Sequence, residues 1–152
     1  MKTLIIYMSV HHGNTEKIAQ AIASELGADL IKATEAKAEI INNYDVIGFG
    51  SGIYYNKFNR QMIDFLQSLP TMSAKLVFVF STSGTGRQEN NAGFIKLLEN
   101  KGCKILGDFA CRGFDTFGPL RILLGGLAKG HPDAADIEAA KTWSRKVVGS
   151  TD

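Results

Sequence analysis

The stretch that decides the fold is Lys2–Ala19, KTLIIYMSVHHGNTEKIA. Its first half is a nearly continuous run of strand-forming apolar residues, as expected for a strand buried on both faces. Its last residues begin an apolar pattern at helical spacing that continues to Leu26 and ends at Gly27. The stretch SVHHGNTE at positions 9–16 therefore leads from a buried strand, predicted at Lys2–Val10, into a helix, predicted at Thr15–Leu26.

The rest of the chain repeats this strand–loop–helix unit. Further strands are predicted at Asp29–Lys32, Tyr44–Gly50, Lys75–Phe80 and Lys104–Cys111, and helices at Asn59–Leu69, Gly93–Lys101 and from Pro132 to about Val148. Thr34–Asn43 is ambiguous, with a short helix as one interpretation. Apolar strands that alternate with helices are typical of a parallel sheet covered on both faces. We therefore predict an α/β fold in a single domain over residues 1–152: a doubly wound five-stranded parallel sheet of order 2-1-3-4-5.

Composition narrows the class of protein. The chain has 152 residues, of which 45% are hydrophobic, and a formal net charge of +2, which together describe an ordinary globular domain. This charge is too small to indicate a nucleic-acid partner. No apolar run approaches the ~18 residues of a membrane span. The short apolar stretch at the N-terminus is interpreted as the first strand and not as a secretory signal.

The chain has two cysteines, Cys103 and Cys111. If both lie on the fifth strand, the extended chain between them places their Cα atoms roughly 26 Å apart. A disulfide requires Cα atoms within ~7 Å, so this pair is predicted to stay reduced. Free thiols are typical of a reducing compartment, and we therefore predict a cytoplasmic protein.

The predicted strand order selects the loops that bind a ligand. In open parallel sheets, ligands bind beyond the carboxyl ends of the strands at the point where the strand order reverses. That rule selects Ser9–Thr15 after strand 1 and Ser51–Asn59 after strand 3. Ser81–Asn91, after strand 4, lies beside them.

The first of these loops has the composition of an anion site. Backbone N–H groups at a helix N-terminus lack partners and the helix dipole adds partial positive charge, so such a site favours a phosphate. Gly13 allows close approach of the backbone, while Asn14 and Thr15 either donate to phosphate oxygens or simply cap the helix. The predicted phosphate-binding residues are Ser9, Val10, His11, His12, Gly13, Asn14 and Thr15.

The other two loops offer surfaces for a planar ring. An aromatic residue in a loop either fills the core or stacks on a ring ligand; we predict the core for Phe58 and stacking for Tyr54 ahead of Tyr55. The polar loop STSGTGR after strand 4 is either a flexible turn or a set of donors for the edge of a heterocycle. The predicted ring-binding residues are Gly52, Ile53, Tyr54 and Tyr55 in the first loop and Thr82, Ser83, Gly84 and Thr85 in the second.

With these three loops in this order, the chain resembles the flavodoxin family from Lys2 to about Val148. The most specific part is HHGNTEKIA, which is similar to the family's hydroxyl-rich T-x-T-G-N-T phosphate loop. The resemblance implies non-covalent FMN, with its phosphate on Val10–Thr15, one ring face against Tyr54 and the ring edge against Thr82–Thr85. It also implies an electron carrier for redox partner proteins, because the electron chemistry belongs to the cofactor.

The chain departs from the family pattern in three respects. Positions 10–12 carry Val-His-His in place of hydroxyl residues, so imidazole N–H groups are expected to donate to the phosphate. The loop after strand 4 has no aromatic residue, which is expected to leave one flavin face more open. Flavodoxins are typically acidic, whereas Lys57, Arg60 and Arg87 are predicted to lie near this site. A less negative surround should lower the reduction potential of the flavin less.

Residues 112–131, after strand 5, are long and apolar for a connection in an α/β fold. One interpretation is a short helix tucked onto the sheet edge. The other is a docking surface, through residues 114–127, for a partner, a second subunit or an apolar substrate such as a quinone. A similar segment occurs in flavodoxin-like menaquinone-dependent protoporphyrinogen oxidases. An FMN-dependent oxidoreductase of that type, or one that uses NAD(P)H and a quinone, is therefore the alternative to the carrier.

Other kinds of site match less well. Adjacent histidines lack the spacing of a metal site, and neither cysteine begins a predicted helix or neighbours a histidine, as a catalytic thiol would. The Gly48–Gly52 run lacks the G-x-G-x-x-G spacing of a dinucleotide-binding loop. We predict no metal ligand and no catalytic side chain, and a flavin-free interaction module is the third class of function.

Overall fold

A computed structural model describes residues 1–151 and has the expected alternation of strands and helices. The strands are β1 Thr3–Met8, β2 Asp29–Lys32, β3 Val46–Tyr54, β4 Lys57–Phe58, β5 Leu76–Ser83 and β6 Lys104–Arg112. The α-helices are α1 Asn14–Leu26, α2 Arg60–Ser68, α3 Ala92–Asn100, α4 Pro119–Leu123 and α5 Ala134–Gly149. Short 3₁₀ helices cover Ala38–Asn43 and Gln88–Asn91. Within residues 1–151, no helix has both the length and the apolar character needed to cross a membrane.

The sheet order is β2-β1-β3-β5-β6, and neighbouring strands along it are parallel. β4 is a two-residue strand that pairs antiparallel with the end of β3. Without that addition, the order is the predicted 2-1-3-4-5, with the fourth and fifth predicted strands observed as β5 and β6. The predicted doubly wound α/β fold is confirmed.

Helices cover both faces of the sheet because successive strand residues enter two different cores. One core contains Leu4, Ile6, Phe49 and Val79 of the sheet with Leu66 of α2 and Leu98 of α3. The other contains Ile5, Tyr7, Phe78 and Phe80 of the sheet with Ile18 of α1 and Ala140 of α5. Full burial of a large apolar side chain contributes roughly 1.5–3 kcal/mol. These two layers therefore hold the sheet between the helix pairs and fix the loops at its carboxyl edge.

Two glycines of β3 allow the second core to close. A Cβ atom on Gly50 would lie 2.1 Å from Cζ of Phe80, and one on Gly48 would lie 2.3 Å from Cζ of Phe78. Both phenylalanine rings therefore lie directly on the β3 backbone. Packing explains the Gly48–Gly52 run better than a dinucleotide-binding motif does.

The predicted boundaries differ most from the observed ones at β3. The strand predicted at Tyr44–Gly50 is Val46–Tyr54 in the structure, so much of the predicted loop Ser51–Asn59 is strand. β3 continues because it forms a hairpin with β4, and the turn residues Tyr55 and Asn56 both have positive φ, 50° and 65°. Two such residues form a type I′ turn, which favours Asn and Gly. Because a tyrosine occupies the first position, the sequence does not indicate this turn. β5 also runs to Ser83, three residues past its predicted end, and the other predicted ends lie within two residues of those observed.

The segment after β6 forms a protruding loop that is closed at its base. Asp115 and Leu127 exchange both backbone hydrogen bonds, with N···O distances of 2.8 and 2.7 Å. The N–H of Phe114 donates to the carbonyl of His131 at 2.8 Å. Helix α4 lies at the far end of this loop and is exposed. The interpretation of this region as a helix tucked onto the sheet edge is therefore wrong.

The two cysteines lie in different settings. Cys111 belongs to β6, but Cys103 precedes that strand, so the prediction that both lie on one strand is wrong. Both thiols are free. Burial raises the pKa of Cys103 to about 11 and the pKa of Cys111 to about 12, so both thiols are protonated at neutral pH.

Candidate functional site

The three predicted loops meet at the carboxyl edge of the sheet around a small cavity of about 30 Å³. Its lining residues are Ser9, Val10, His11, Asn14, Thr15, Gly52, Ile53, Tyr54, Thr82, Ser83, Gly113, Phe114, Asp115 and Phe117. The last four come from the segment after β6, and the sequence did not predict them as site residues. The loops after β1, β3 and β5 thus form one site together with a fourth, unpredicted element.

A larger cavity of about 420 Å³ adjoins the first, and Ile53, Ser83 and Phe117 line both. It is also lined by Tyr55, Asn56, Gly84, Thr85, Arg87, Asn90, Gly118, Pro119 and Arg121. Pockets of this size commonly hold ring-containing small molecules. Every predicted site residue except His12 and Gly13 lines one of the two cavities.

Helix α1 begins beside the small cavity without a side-chain cap. Gly13 precedes the helix in the left-handed region, with φ 65°, and makes no capping hydrogen bond. The N–H of Glu16 donates to Oγ of Ser9 at 3.2 Å. Within residues 1–151, no acceptor takes the N–H groups of residues 12–15. Unpaired N–H groups at the positive end of a helix dipole constitute an anion site.

The side chains of Asn14 and Thr15 hold the loops together. Asn14 Nδ2 donates to the carbonyl of Phe114 at 2.7 Å, which joins the first loop to the segment after β6. The hydroxyl oxygens of Thr15 and Thr82 are 2.8 Å apart in a buried hydrogen bond between the first and third loops. The interpretation of Asn14 as a simple helix cap is therefore wrong. With both side chains engaged, the backbone N–H groups of residues 12–15 are left as free donors.

The two adjacent histidines face different neighbours. His11 lines the small cavity, and its ring centroid lies 5.8 Å from that of Phe117. His12 Nε2 lies 2.9 Å from the hydroxyl oxygen of Thr116, and its ring lies 4.5 Å from that of Phe114. His11 is thus placed to donate to a group in the small cavity, whereas His12 contacts the segment after β6.

The predicted aromatic residues divide between the site and the core. Tyr54 lies at the end of β3. Its ring is nearly perpendicular to that of Phe117, and the two ring centroids are 5.4 Å apart. Burial raises the pKa of Tyr54, so its phenol stays neutral at physiological pH. Tyr55 is 84% exposed, and its ring centroid lies 5.2 Å from that of Phe117. Phe58 is buried and stacks on Phe94, which confirms its predicted core role.

Phe117 supplies a second aromatic side chain to this site. It comes from an element other than the loop after β5, and the expectation that one flavin face is more open stays a prediction. No local pattern could have linked residue 117 to Tyr54, because the link depends on how the segment after β6 folds back across the sheet edge. The only signal in the sequence is the unusual length and apolar character of that segment.

Positive charge borders the larger cavity. Arg87 lines it and has no ion-pair partner within residues 1–151, whereas Arg121 is paired with Asp115. Lys57 and Arg60, which were predicted near the site, line neither cavity. Arg87 is therefore the predicted cation that does lie at the site, and its charge is not neutralised by a neighbour.

Comparison of the sequence with known proteins gives three matches. A model of the flavodoxin domain family matches residues 4–113. The chain is 43% identical over 150 residues to the uncharacterized protein MJ0298 of Methanocaldococcus jannaschii, covering 97% of this chain and 99% of that one. It is 31% identical over 117 residues to the flavodoxin of Haemophilus influenzae, covering 68% of this chain and 66% of that one.

Solved structures agree at the level of the fold. A flavodoxin from the domain Archaea superposes with a TM-score of 0.73 at 16% identity, covering 99% of this chain and 98% of that one. Oxidised flavodoxin 1 from Bacillus cereus superposes with a TM-score of 0.74 at 19% identity, covering 98% of each chain. The matched family region runs from β1 through Gly113 and includes the loops after β1, β3 and β5. The chain belongs to the flavodoxin domain family.

Proposed function

We propose that this protein binds FMN non-covalently across the two adjoining cavities and carries electrons between redox partner proteins. The observation that carries the proposal is the uncapped start of α1, whose free N–H groups lie beside the small cavity, with a second cavity large enough for a ring system adjoining it. Membership of the flavodoxin domain family supports the same cofactor.

The first loop fits a phosphate. The N–H groups of residues 12–15 are unpaired within the described chain, and His11 adds an imidazole on the same side. Asp115 is the one carboxylate among the residues lining the small cavity, and its pairing with Arg121 offsets its charge. A dianionic group therefore meets donors here and no uncompensated negative charge.

The larger cavity fits a flavin ring. Tyr55 and Phe117 supply aromatic surface to this cavity, Tyr54 lines the adjoining small cavity, and Ser83, Gly84 and Thr85 form part of the wall of the larger one. Bound FMN would supply the electron-transfer chemistry, while the chain binds it, orients it and sets the local charge. Arg87 places an uncompensated positive charge at the cavity, so a cofactor that becomes more negative on reduction is stabilised there.

An FMN-dependent oxidoreductase is the second candidate function. It is favoured by the apolar segment after β6, which brings Phe114 and Phe117 onto the site and could cover a quinone or a nicotinamide. Steady-state assays of the FMN-loaded chain with NADH, NADPH and a water-soluble quinone separate the two functions. A carrier turns over these pairs slowly, whereas rapid turnover would establish the enzyme.

The carrier function is tested by purification and stopped-flow spectroscopy. The purified protein is expected to be yellow or to become so with added FMN, and acid is expected to release FMN. The chemically reduced holoprotein is then mixed with cytochrome c as a surrogate acceptor, with free reduced FMN as the control. A colourless protein that does not bind added FMN would leave the interaction module as the function.

A further inference from the structure

The loop after β6 ends in aliphatic side chains that the described chain does not cover. Leu120, Ile122, Leu123 and Leu124 are 68, 66, 81 and 72% exposed. Residues 119–124 are called the apolar tip below. Contiguous exposed aliphatic residues of this kind mark an interaction surface. We propose that the apolar tip inserts into the surface of an anionic lipid bilayer and anchors the protein there.

The local structure leaves the aliphatic side chains of the apolar tip exposed, while Pro119 and Arg121 of the tip line the larger cavity. Gly118 and Gly125 border it with positive φ, 97° and 82°, and a Cβ atom on either would meet nothing within 4 Å. At the base of the loop, Asp115 and Leu127 are joined by paired backbone hydrogen bonds. Arg121 turns its guanidinium back to Asp115, which leaves the aliphatic side chains as the exposed part of the tip.

The charge around the apolar tip suits anionic headgroups. Residues 116–130 contain no Asp or Glu, and of their two cations Arg121 is paired with Asp115, which leaves the charge of Lys129. Lys129 is exposed, and so is Arg112 at the end of β6. Aliphatic side chains that enter the interface, with exposed cations at the base of the same loop, suit an anionic membrane surface.

The same features disfavour a second copy of the chain or a protein partner as the occupant. Protein interfaces concentrate their binding energy in Trp, Tyr and Arg, with Leu under-represented. The apolar tip carries aliphatic residues and no aromatic residue.

This inference goes beyond the proposed electron carrier and does not require FMN. Phe117, which lines both cavities, lies two residues before the tip. A bilayer-anchored tip would therefore hold the site close to the membrane surface. A chain that binds FMN but not vesicles would overturn only the anchor, and one that binds vesicles but not FMN would overturn only the proposed cofactor site.

Vesicle flotation of the full chain tests the anchor. Wild-type protein is expected to bind phosphatidylcholine vesicles with about 30% phosphatidylglycerol at least about tenfold more tightly than pure phosphatidylcholine vesicles, and less tightly at high salt. The triple variant Leu120→Ser/Leu123→Ser/Leu124→Ser is expected to lose at least about tenfold in affinity. Lys129→Gln should lose about two- to fivefold on anionic vesicles alone, while Lys96→Gln on α3 is the matched control and should match wild type.

A second variant guards against an effect of the triple substitution on folding. Leu123→Trp is expected to shift its emission to shorter wavelength with anionic vesicles, and Lys96→Trp is not. Wild-type protein that stays unbound at millimolar lipid, or a triple variant that binds as well as wild type while its unfolding midpoint is unchanged, would overturn the anchor. So would a concentration-dependent dimer that the triple variant abolishes, because the tip would then be covered by a second copy.

Discussion

The loop before α1 and the segment after β6 meet at one site, but they reach it in different ways. Residues 9–15 follow local rules: a buried strand ends, a left-handed glycine turns the chain and a helix begins. Residues 112–131 depend on distant partners, including the hydrogen bond from Asn14 to Phe114 and the contact of His12 with Thr116. The first region is therefore set by its own sequence, and the second by the fold that receives it.

This difference separates two roles within the site. The first loop offers backbone donors for an anion, a feature that tolerates changes of side chain. The segment after β6 contributes the aromatic and charged groups, Phe117 and the Arg121–Asp115 pair, which depend on residue identity. We expect changes in the first region to act on the phosphate group of FMN and changes in the second to act on its ring.

The largest effect is expected from a negative charge in the first loop. Val10 lines the small cavity and is 54% exposed, so Val10→Asp should leave the fold intact. Repulsion of a phosphate dianion by this carboxylate should weaken FMN binding by about 10- to 100-fold. Fluorescence titration with FMN measures the loss.

Val10→Asn is the matched control, because it has nearly the same size without the charge. Riboflavin, which lacks the phosphate, should bind the Asp and Asn variants alike. An Asp variant that binds FMN as tightly as the Asn variant would show that the phosphate lies elsewhere.

The next effect tests the segment after β6. Phe117→Ala removes the second aromatic side chain and should weaken FMN and riboflavin to the same extent, about 3- to 10-fold. Leu123→Ala, on the same segment but outside both cavities, should change neither. Tighter FMN binding by Phe117→Ala would instead identify Phe117 as a plug that the cofactor must displace.

A smaller effect should distinguish the two histidines. His11 lines the small cavity, so its imidazole N–H is expected to donate to the phosphate, and His11→Ala should lower FMN affinity about two- to fivefold. His12→Ala should leave the affinity unchanged, because its ring contacts Thr116 and Phe114. Fluorescence titration with FMN measures both variants, and wild-type affinity in His11→Ala would exclude that role.

The smallest effect is expected on the reduction potential. Arg87→Gln removes an uncompensated charge from the larger cavity and should lower the midpoint potential of bound FMN by about 10–50 mV. Arg60→Gln is the control, since Arg60 pairs with Asp64 and lines neither cavity. Anaerobic redox titration gives these values, and a potential unmoved by Arg87→Gln would remove Arg87 from the site.

Sequence patterns predict most of the fold and about half of the residues that line the two cavities, because they record local structure and not tertiary contacts. The strands and helices are specified by hydrophobic periodicity, and the strand order places the loops after β1, β3 and β5 together. The extended β3 hairpin was missed because Tyr55 adopts a positive φ that its residue type does not signal. Phe117 was missed because its approach to Tyr54 depends on tertiary contacts across more than sixty residues of chain.

The central claim is that the uncapped start of α1 binds the phosphate of FMN. Parallel titrations of the flavin-free wild-type chain with FMN and with riboflavin test it most directly, because the two ligands differ only in the phosphate group. Two or more charge-assisted hydrogen bonds to that phosphate should make FMN bind at least about 100-fold more tightly than riboflavin. Equal affinities for the two ligands, or no binding of either, would contradict the account.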